Sequence, residues 1–241
     1  MSHQGTDAVI LVDEYNFSAY TSQLQVDLTV GEAEGTTLAS TAQEWEPLLP
    51  TMKITQNGYF QGVAADGFER ELFDRMGTTG VVVSAIFGVS GSKAPAYVIP
   101  DAFNAQMDFQ MPAAGLMTLN GIWGNTNHPK RGVVVYRGTL SATGATTAVN
   151  LGAAGSNGGL FVVHVTAVSG SASGADIALE SATTQAGTYA AEGTVTFSAV
   201  GGYTAALTGT VNRWLRINAT DLGGATSFTV TAIAIVDGVT M

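Results

Sequence analysis

The sequence predicts a mainly β protein: an antiparallel sandwich or barrel carrying one helix, followed by a second, smaller β-sandwich. Three observations lead there. Short apolar runs bounded by Gly, Ser and Asn clusters recur along the chain, as strands do in sandwiches and barrels. Only one segment has the periodicity of an amphipathic helix. Charge density also drops after residue 140: residues 1–140 hold 14 acids and 7 bases, whereas residues 141–241 hold 5 and 2. Two runs of small residues, 141–148 and 152–159, lie at that change and place a domain boundary near 140, where they can act as a flexible joint.

The elements follow in order. An apolar run over 8–12 is shut in by Asp7 and Asp13. Leu24, Val26, Leu28 and Val30 alternate with Gln23, Gln25, Asp27 and Thr29, which describes a half-buried strand with one wet face. Residues 31–46 then read as a loop of about sixteen residues, longer than a hairpin needs, and Lys53-Ile54-Thr55 starts the next strand. Further strands are expected at 81–87, 107–111, 117–123 and 133–136. In the second half they are expected at 160–168, 177–181, 195–200, 205–211, 214–218 and 228–236. The helix lies between, with Asp66 as its cap and Glu69 completing a capping box. Its apolar face would be Phe68, Leu72, Phe73 and Met76. Glu69, Glu71 and Asp74 would face out, paired with Arg70 and Arg75, and Gly77 would close the C-terminus. A lone amphipathic helix is expected to cover an open face or edge of the sheet.

Composition excludes several classes. Apolar residues make up 46%, so wholesale disorder is not expected. The formal charge of −10 opposes gripping nucleic acid, which needs a basic stripe. There is no Cys, hence no disulfide, thiol nucleophile or Cys-ligated metal. The first fourteen residues carry no Lys or Arg, and no window approaches about 18 apolar residues, so neither an export signal nor a membrane span is expected. Synthesis and folding in a cytoplasm are the expectation.

Signatures of chemistry are missing. No two glycines are spaced two apart, so G-x-G-x-x-G cannot occur, and no Gly-Lys or G-x-S-x-G is present. His3, His128 and His164 are widely spread; each reads as a surface or satisfied core residue. Asp13-Glu14 reads as a turn. The unusual group is Glu44-Trp45-Glu46, where an exposed indole between two acids could anchor a protein interface or stack on a sugar. Residues 1–52 contain eight acids and no base. The segment 31–50 is therefore expected to be a contact arm, with Glu32, Glu34, Thr36, Thr37, Glu44, Trp45, Glu46, Pro47 and Leu48 as candidate subunit-interface residues. Lys53, Arg70, Arg75, Lys130 and Arg131 are the bases expected to meet its carboxylates. No catalytic, cofactor or metal site is expected.

The order of elements resembles the major tail tube protein of long, non-contractile-tailed bacteriophages (siphophages). The resemblance begins at Ala8-Val9-Ile10-Leu11-Val12-Asp13-Glu14-Tyr15-Asn16-Phe17-Ser18. It continues through the strand at 24–30, the Thr-rich segment 31–47, Pro47-Leu48-Leu49-Pro50, the strand at 52–60 and the helix 68–76. Ala96-Tyr97-Val98-Ile99-Pro100 and the strands 107–111 and 117–123 match the later part of that pattern. Residues 207–217 and 223–230 resemble the extra β-sandwich fused to many such proteins. One departure is Pro50-Thr51, where the family often has Pro-Gly.

The resemblance implies a non-enzymatic virion protein with no cofactor. It would form homohexameric rings that stack into a tail tube, with other tail proteins as partners and DNA passing through without specific binding. Residues 1–140 would be the tube domain. Residues 141–241 would be an outer decoration domain, available to the host cell surface and with no membrane insertion. A second reading is a carbohydrate- or receptor-binding β-sandwich surface protein, an adhesin, using Trp45, Trp123 and Trp214 against sugar rings.

Overall fold

The computed structural model describes residues 7–36, 41–60, 67–88, 93–126 and 128–239. β1 (Ala8–Val12) turns into β2 (Tyr15–Asn16), and a 3-10 turn at Phe17–Tyr20 leads into β3 (Thr21–Glu34) and β4 (Trp45–Tyr59). The helix α1 (Phe68–Asp74) precedes β5 (Val81–Phe87), β6 (Pro95–Gln110), β7 (Thr118–Asn125) and β8 (Lys130–Leu140). Next come β9 (Gly144–Ala145), β10 (Val149–Asn150), β11 (Gly159–Gly170) and β12 (Ala175–Ala182). The chain ends in β13 (Ala190–Phe197), β14 (Gly201–Leu207), β15 (Trp214–Asp221) and β16 (Ala225–Val236). Among the described residues the expected mainly β, antiparallel architecture with one helix is what forms, as open sheets and not as a closed barrel.

One sheet runs in the order β14-β11-β16-β8-β6-β5-β1-β2, and β6 carries it round a corner. The first part of β6 lies between β8 and β5, while Ala102–Gln110 pairs with β7. A register shift between Asn104 and Gln106 marks the bend, since an irregularity in the ladder lets a strand change sheets. β7 pairs with β4 and β4 with β3, which completes a sheet β3-β4-β7-β6. The second sheet is β10-β15-β12-β13, with β9 on β15.

Side-chain alternation sorts these strands into layers separated by three cores. Ile10, Val12, Val81 and Val83 pack with Met52, Ile54, Leu119 and Trp123, together with Phe68 and Leu72 of the helix. From the opposite face of the same strands, Val9, Leu11, Val82 and Ile86 pack with Val134, Val162, Ile233 and Ile235. Phe161, Val163, Ala232 and Ala234, on the far side of β11 and β16, pack with Ile177, Leu179, Val195, Leu215 and Ile217 of the second sheet. Strands buried on both faces lose polar alternation. That is why β1, β5 and the start of β11 read as near-continuous apolar runs.

The change of core coincides with the change of charge density near 140: from the preceding chain the third core takes Val135 and Leu140, with the half-buried Tyr136 packed against it. Yet the sheet continues across that point. β8 pairs with β16 from Phe228↔Leu140 to Ala234↔Val133, and the middle core draws on both halves. The two small-residue runs are not a loose joint. Gly144–Ala145 pairs with β15, Thr146 N donates to Ile217 O, Gly155 bridges to Val211, and Gly158 N donates to Gly209 O.

The helix departs from expectation. Asp66 lies outside the described residues; the N-cap is Gly67, with no side-chain cap, and the C-cap is Arg75 in place of Gly77. Phe68 and Leu72 are buried, but Phe73 and Met76 are exposed, and Glu71 is buried beside Arg75. The helix sits very close to β7. A Cβ at Gly121 would lie 2.6 Å from Leu72 Cδ2, so any larger residue there would force the Leu72 side chain to shift.

Candidate subunit interface

The segment expected as a long loop is largely a two-stranded arm. β3 and β4 stay paired out to Glu34↔Trp45, whereas β7 accompanies β4 only from Lys53 to Tyr59. Beyond Met52 the ribbon therefore leaves the body. Met52 is 1% exposed, while Leu49 is 72% and Trp45 55% exposed. Pro47 and Pro50 fit because this part of β4 has a partner on one side only. A bulge between Val30 and Glu32 bends the arm, and the Gly31 backbone rests on Leu48. At the tip Gly35 N donates to Glu44 O and Glu44 N donates to Thr36 Oγ1.

Glu32, Glu34, Thr36, Glu44, Trp45, Glu46, Pro47 and Leu48 all lie on this arm; Thr37 lies outside the described residues. Sequence reasoning missed Leu28, Val30 and Leu49, which are also exposed here. The alternation of Leu28 and Val30 was visible, but it marks a face that extends the half-buried row Leu24, Val26 into solvent.

A second apolar group sits at the opposite end of the same sheet. β4 runs from Trp45 at the arm tip to Tyr59, which pairs with Thr118 at the β6–β7 turn. There Phe109, Met111 and Leu116 are exposed, the last two at 72% and 69%, and Phe109 makes an edge contact with Phe60. The lateral edges are also open. Among the described residues β3 pairs only with β4, and β6 beyond Asn104 pairs only with β7.

Most of the bases expected to meet the arm are engaged within the subunit. Arg75 bonds to Asp13, lies 3.1 Å from Glu71 and 3.7 Å from Glu14, and stands over the Tyr15 ring. Lys130 pairs with Asp237 at 3.3 Å and Arg70 with Asp74 at 3.4 Å. Burial works against the Arg75 charge, but Asp13, Glu71 and Glu14 together raise its pKa. Burial also raises the Asp13 carboxyl, outweighing the Val82 amide and Arg75 that hold it charged. Burial, with Glu71 beside it, pushes the Tyr15 phenol up to about 12.

The nearest approach to catalytic geometry is Ser84 and His164. His164 Nδ1 lies 2.8 Å from the Asp13 carbonyl, which can only accept, so Nδ1 carries the proton and Ser84 Oγ donates to Nε2 at 2.8 Å. A nucleophile and base would be so arranged, but both residues are fully buried and no substrate reaches them. Burial drives the His164 pKa down to about 4, partly opposed by the Asp13 bond. His128 is exposed, and His3 lies outside the described residues. Trp123 is fully buried in the first core, which removes it from any sugar-stacking surface, and Trp214 is half-buried. Among the described residues no helix is long and apolar enough to cross a membrane.

No family model matches the chain, and no curated protein matches it. Several solved structures share features of the fold. A chain in the virion of a native gene transfer agent particle is 15% identical, with a TM-score of 0.40 over 54% of this chain and 98% of that one. The SPP1 tail tube is 8% identical, with a TM-score of 0.41 over 54% and 78%. The SPP1 Dit protein, a hub of the adsorption apparatus in phages infecting Gram-positive hosts, is 11% identical, with a TM-score of 0.34 over 95% and 98%.

Proposed function

We propose that the protein is a non-enzymatic structural subunit that associates head to tail with copies of itself, forming stacked, hexameric rings of a phage tail tube through which DNA passes. The observation that carries this reading is the pair of unlike apolar groups at opposite ends of the sheet β3-β4-β7-β6. Two different patches facing opposite ways suit a heterologous contact, which repeats without limit along an axis. The bare edges of β3 and β6 offer lateral pairing of the kind a monomer has to blunt. The resemblance of the sequence to tail tube proteins gives this assembly its identity. A net charge of −10 suits a lumen that must not hold DNA. In this reading residues 141–241 stand on the outer wall, because a central channel has no room for an extra domain from every subunit, and there they can meet other tail proteins or a host surface.

Size-exclusion chromatography with negative-stain microscopy tests the reading. Rings or tubes that grow with concentration are expected. A monomer that persists at high concentration in both low and high salt overturns it.

A further inference from the structure

The two layers that meet at Ser84 and His164 part toward the surface and leave a cleft. Ser84, Leu11 and Asn16 are cross-strand neighbours in one layer. His164, Thr231 and Arg137 are cross-strand neighbours in the next. The cleft they open has a volume of about 520 Å³, with Leu11 and Asn16 on one wall and Arg137, Thr166, Thr229 and Thr231 on the other. Arg137 is exposed there. Among the described residues it forms no ion pair and no side-chain hydrogen bond, and no acid lines the cleft.

The arm is the converse. Glu32, Glu34 and Glu46 are exposed and none is in an ion pair among the described residues. Glu34 stands opposite Trp45 across the ribbon, so this carboxylate and the indole share one face, while Glu46, opposite Ala33, lies on the other. A carboxylate set on a guanidinium has acceptor positions left over. The half-buried Thr229 hydroxyl, 3.1 Å from Thr139 Oγ1 on the same face as Arg137, can fill one of them.

We propose that this cleft receives the arm tip of a second copy of the chain, with Glu34 or Glu46 on Arg137. The inference rests on the self-assembly reading and adds the receiving site to it. It places the receptor for the arm across the junction of the two halves, so residues after 140 take part in the contact.

Charge exchange tests it. Arg137→Glu and the double change Glu34→Arg with Glu46→Arg should each raise the concentration at which assembly begins by about tenfold or more, and combining all three should return it to within about threefold of the wild type. Each monomer should melt as the wild type does. As a second variant, Arg137→Gln should lose most of the rise in that threshold between about 0.05 M and about 0.5 M salt. Unchanged assembly in Arg137→Glu, or no recovery on combining the changes, overturns the proposal while leaving self-assembly intact. Failure of the wild type to assemble overturns the underlying reading instead.

Discussion

Ser84 Oγ lies 2.8 Å from His164 Nε2, and neither residue has surface open to water. The pair joins a strand from the first half of the chain to one from the second, and the other ring nitrogen bonds to the Asp13 carbonyl. Protonating His164 would leave two N–H groups facing this fixed polar pair in a dry core, which is why burial depresses its pKa to about 4 from 6.5.

That depression sets a pH dependence. Above pH 6.5 the ring is neutral in both folded and unfolded chains and the stability is fully present. As the pH falls from 6.5 to about 4, the unfolded chain takes up a proton that the folded one refuses, and stability declines by up to about 3 kcal/mol. Asp13 acts in the opposite sense: its raised pKa adds stability as the pH falls towards its ordinary value. The comparison is therefore made against His164→Asn, which retains Asp13. Denaturant melts of the two proteins should diverge below pH 6.5, and curves that stay parallel down to pH 4 would refute this account.

Trp45→Ala should block assembly and spare the fold. The indole is 55% exposed, so the monomer loses little on its removal. An aromatic anchor buried in a contact is worth about 2 kcal/mol or more on truncation. Unchanged tube length and yield, in a variant whose melt matches the wild type, would remove the arm from the interface.

The opposite end of the sheet should behave alike. Met111→Glu with Leu116→Glu puts charge onto exposed apolar surface and should leave the monomer's melt within about 0.5 kcal/mol of the wild type, yet stop growth. Full-length tubes from this variant would show that this end is not used.

The strands of the core were legible because burial imposes their pattern. β5 and β16 coincide with expected runs, and Leu24 and Val26 face the core as their alternation indicates. The arm was read as a loop because Glu, Thr, Gly and Pro there answer to solvent, not to a core, and only pairing with the partner strand makes 31–34 and 45–51 extended. Glu71 was assigned to the wet face of the helix because periodicity assigns charge outward; its reason for burial is Arg75, which also holds the distant Asp13. Arg137 falls just past the strand expected at 133–136, and only the register of β8, β16 and β11 brings it beside Thr231 and over the cleft.

Cutting the chain at 140 should damage the two halves unequally. Residues 1–140 keep the first core, but they lose β16 from the edge of β8 and bare Val9, Leu11, Val82, Ile86, Val98 and Val134. Each such side chain returned to water forgoes about 1.5–3 kcal/mol of burial, and the sum is of the same order as the roughly 5–15 kcal/mol that holds an ordinary domain together. Residues 141–241 retain nearly all of the third core, lacking Val135, Leu140 and the half-buried Tyr136, and their exposed face is the smaller set Val162, Ile233 and Ile235. Expressed alone, the second fragment should fold with a cooperative but lowered melt, and the first should aggregate or stay unfolded. Adding the second fragment to the first should restore β-rich structure, since the β8–β16 ladder can re-form between separate chains. A first fragment that melts cooperatively by itself would show that the shared sheet is an addition to a self-sufficient domain.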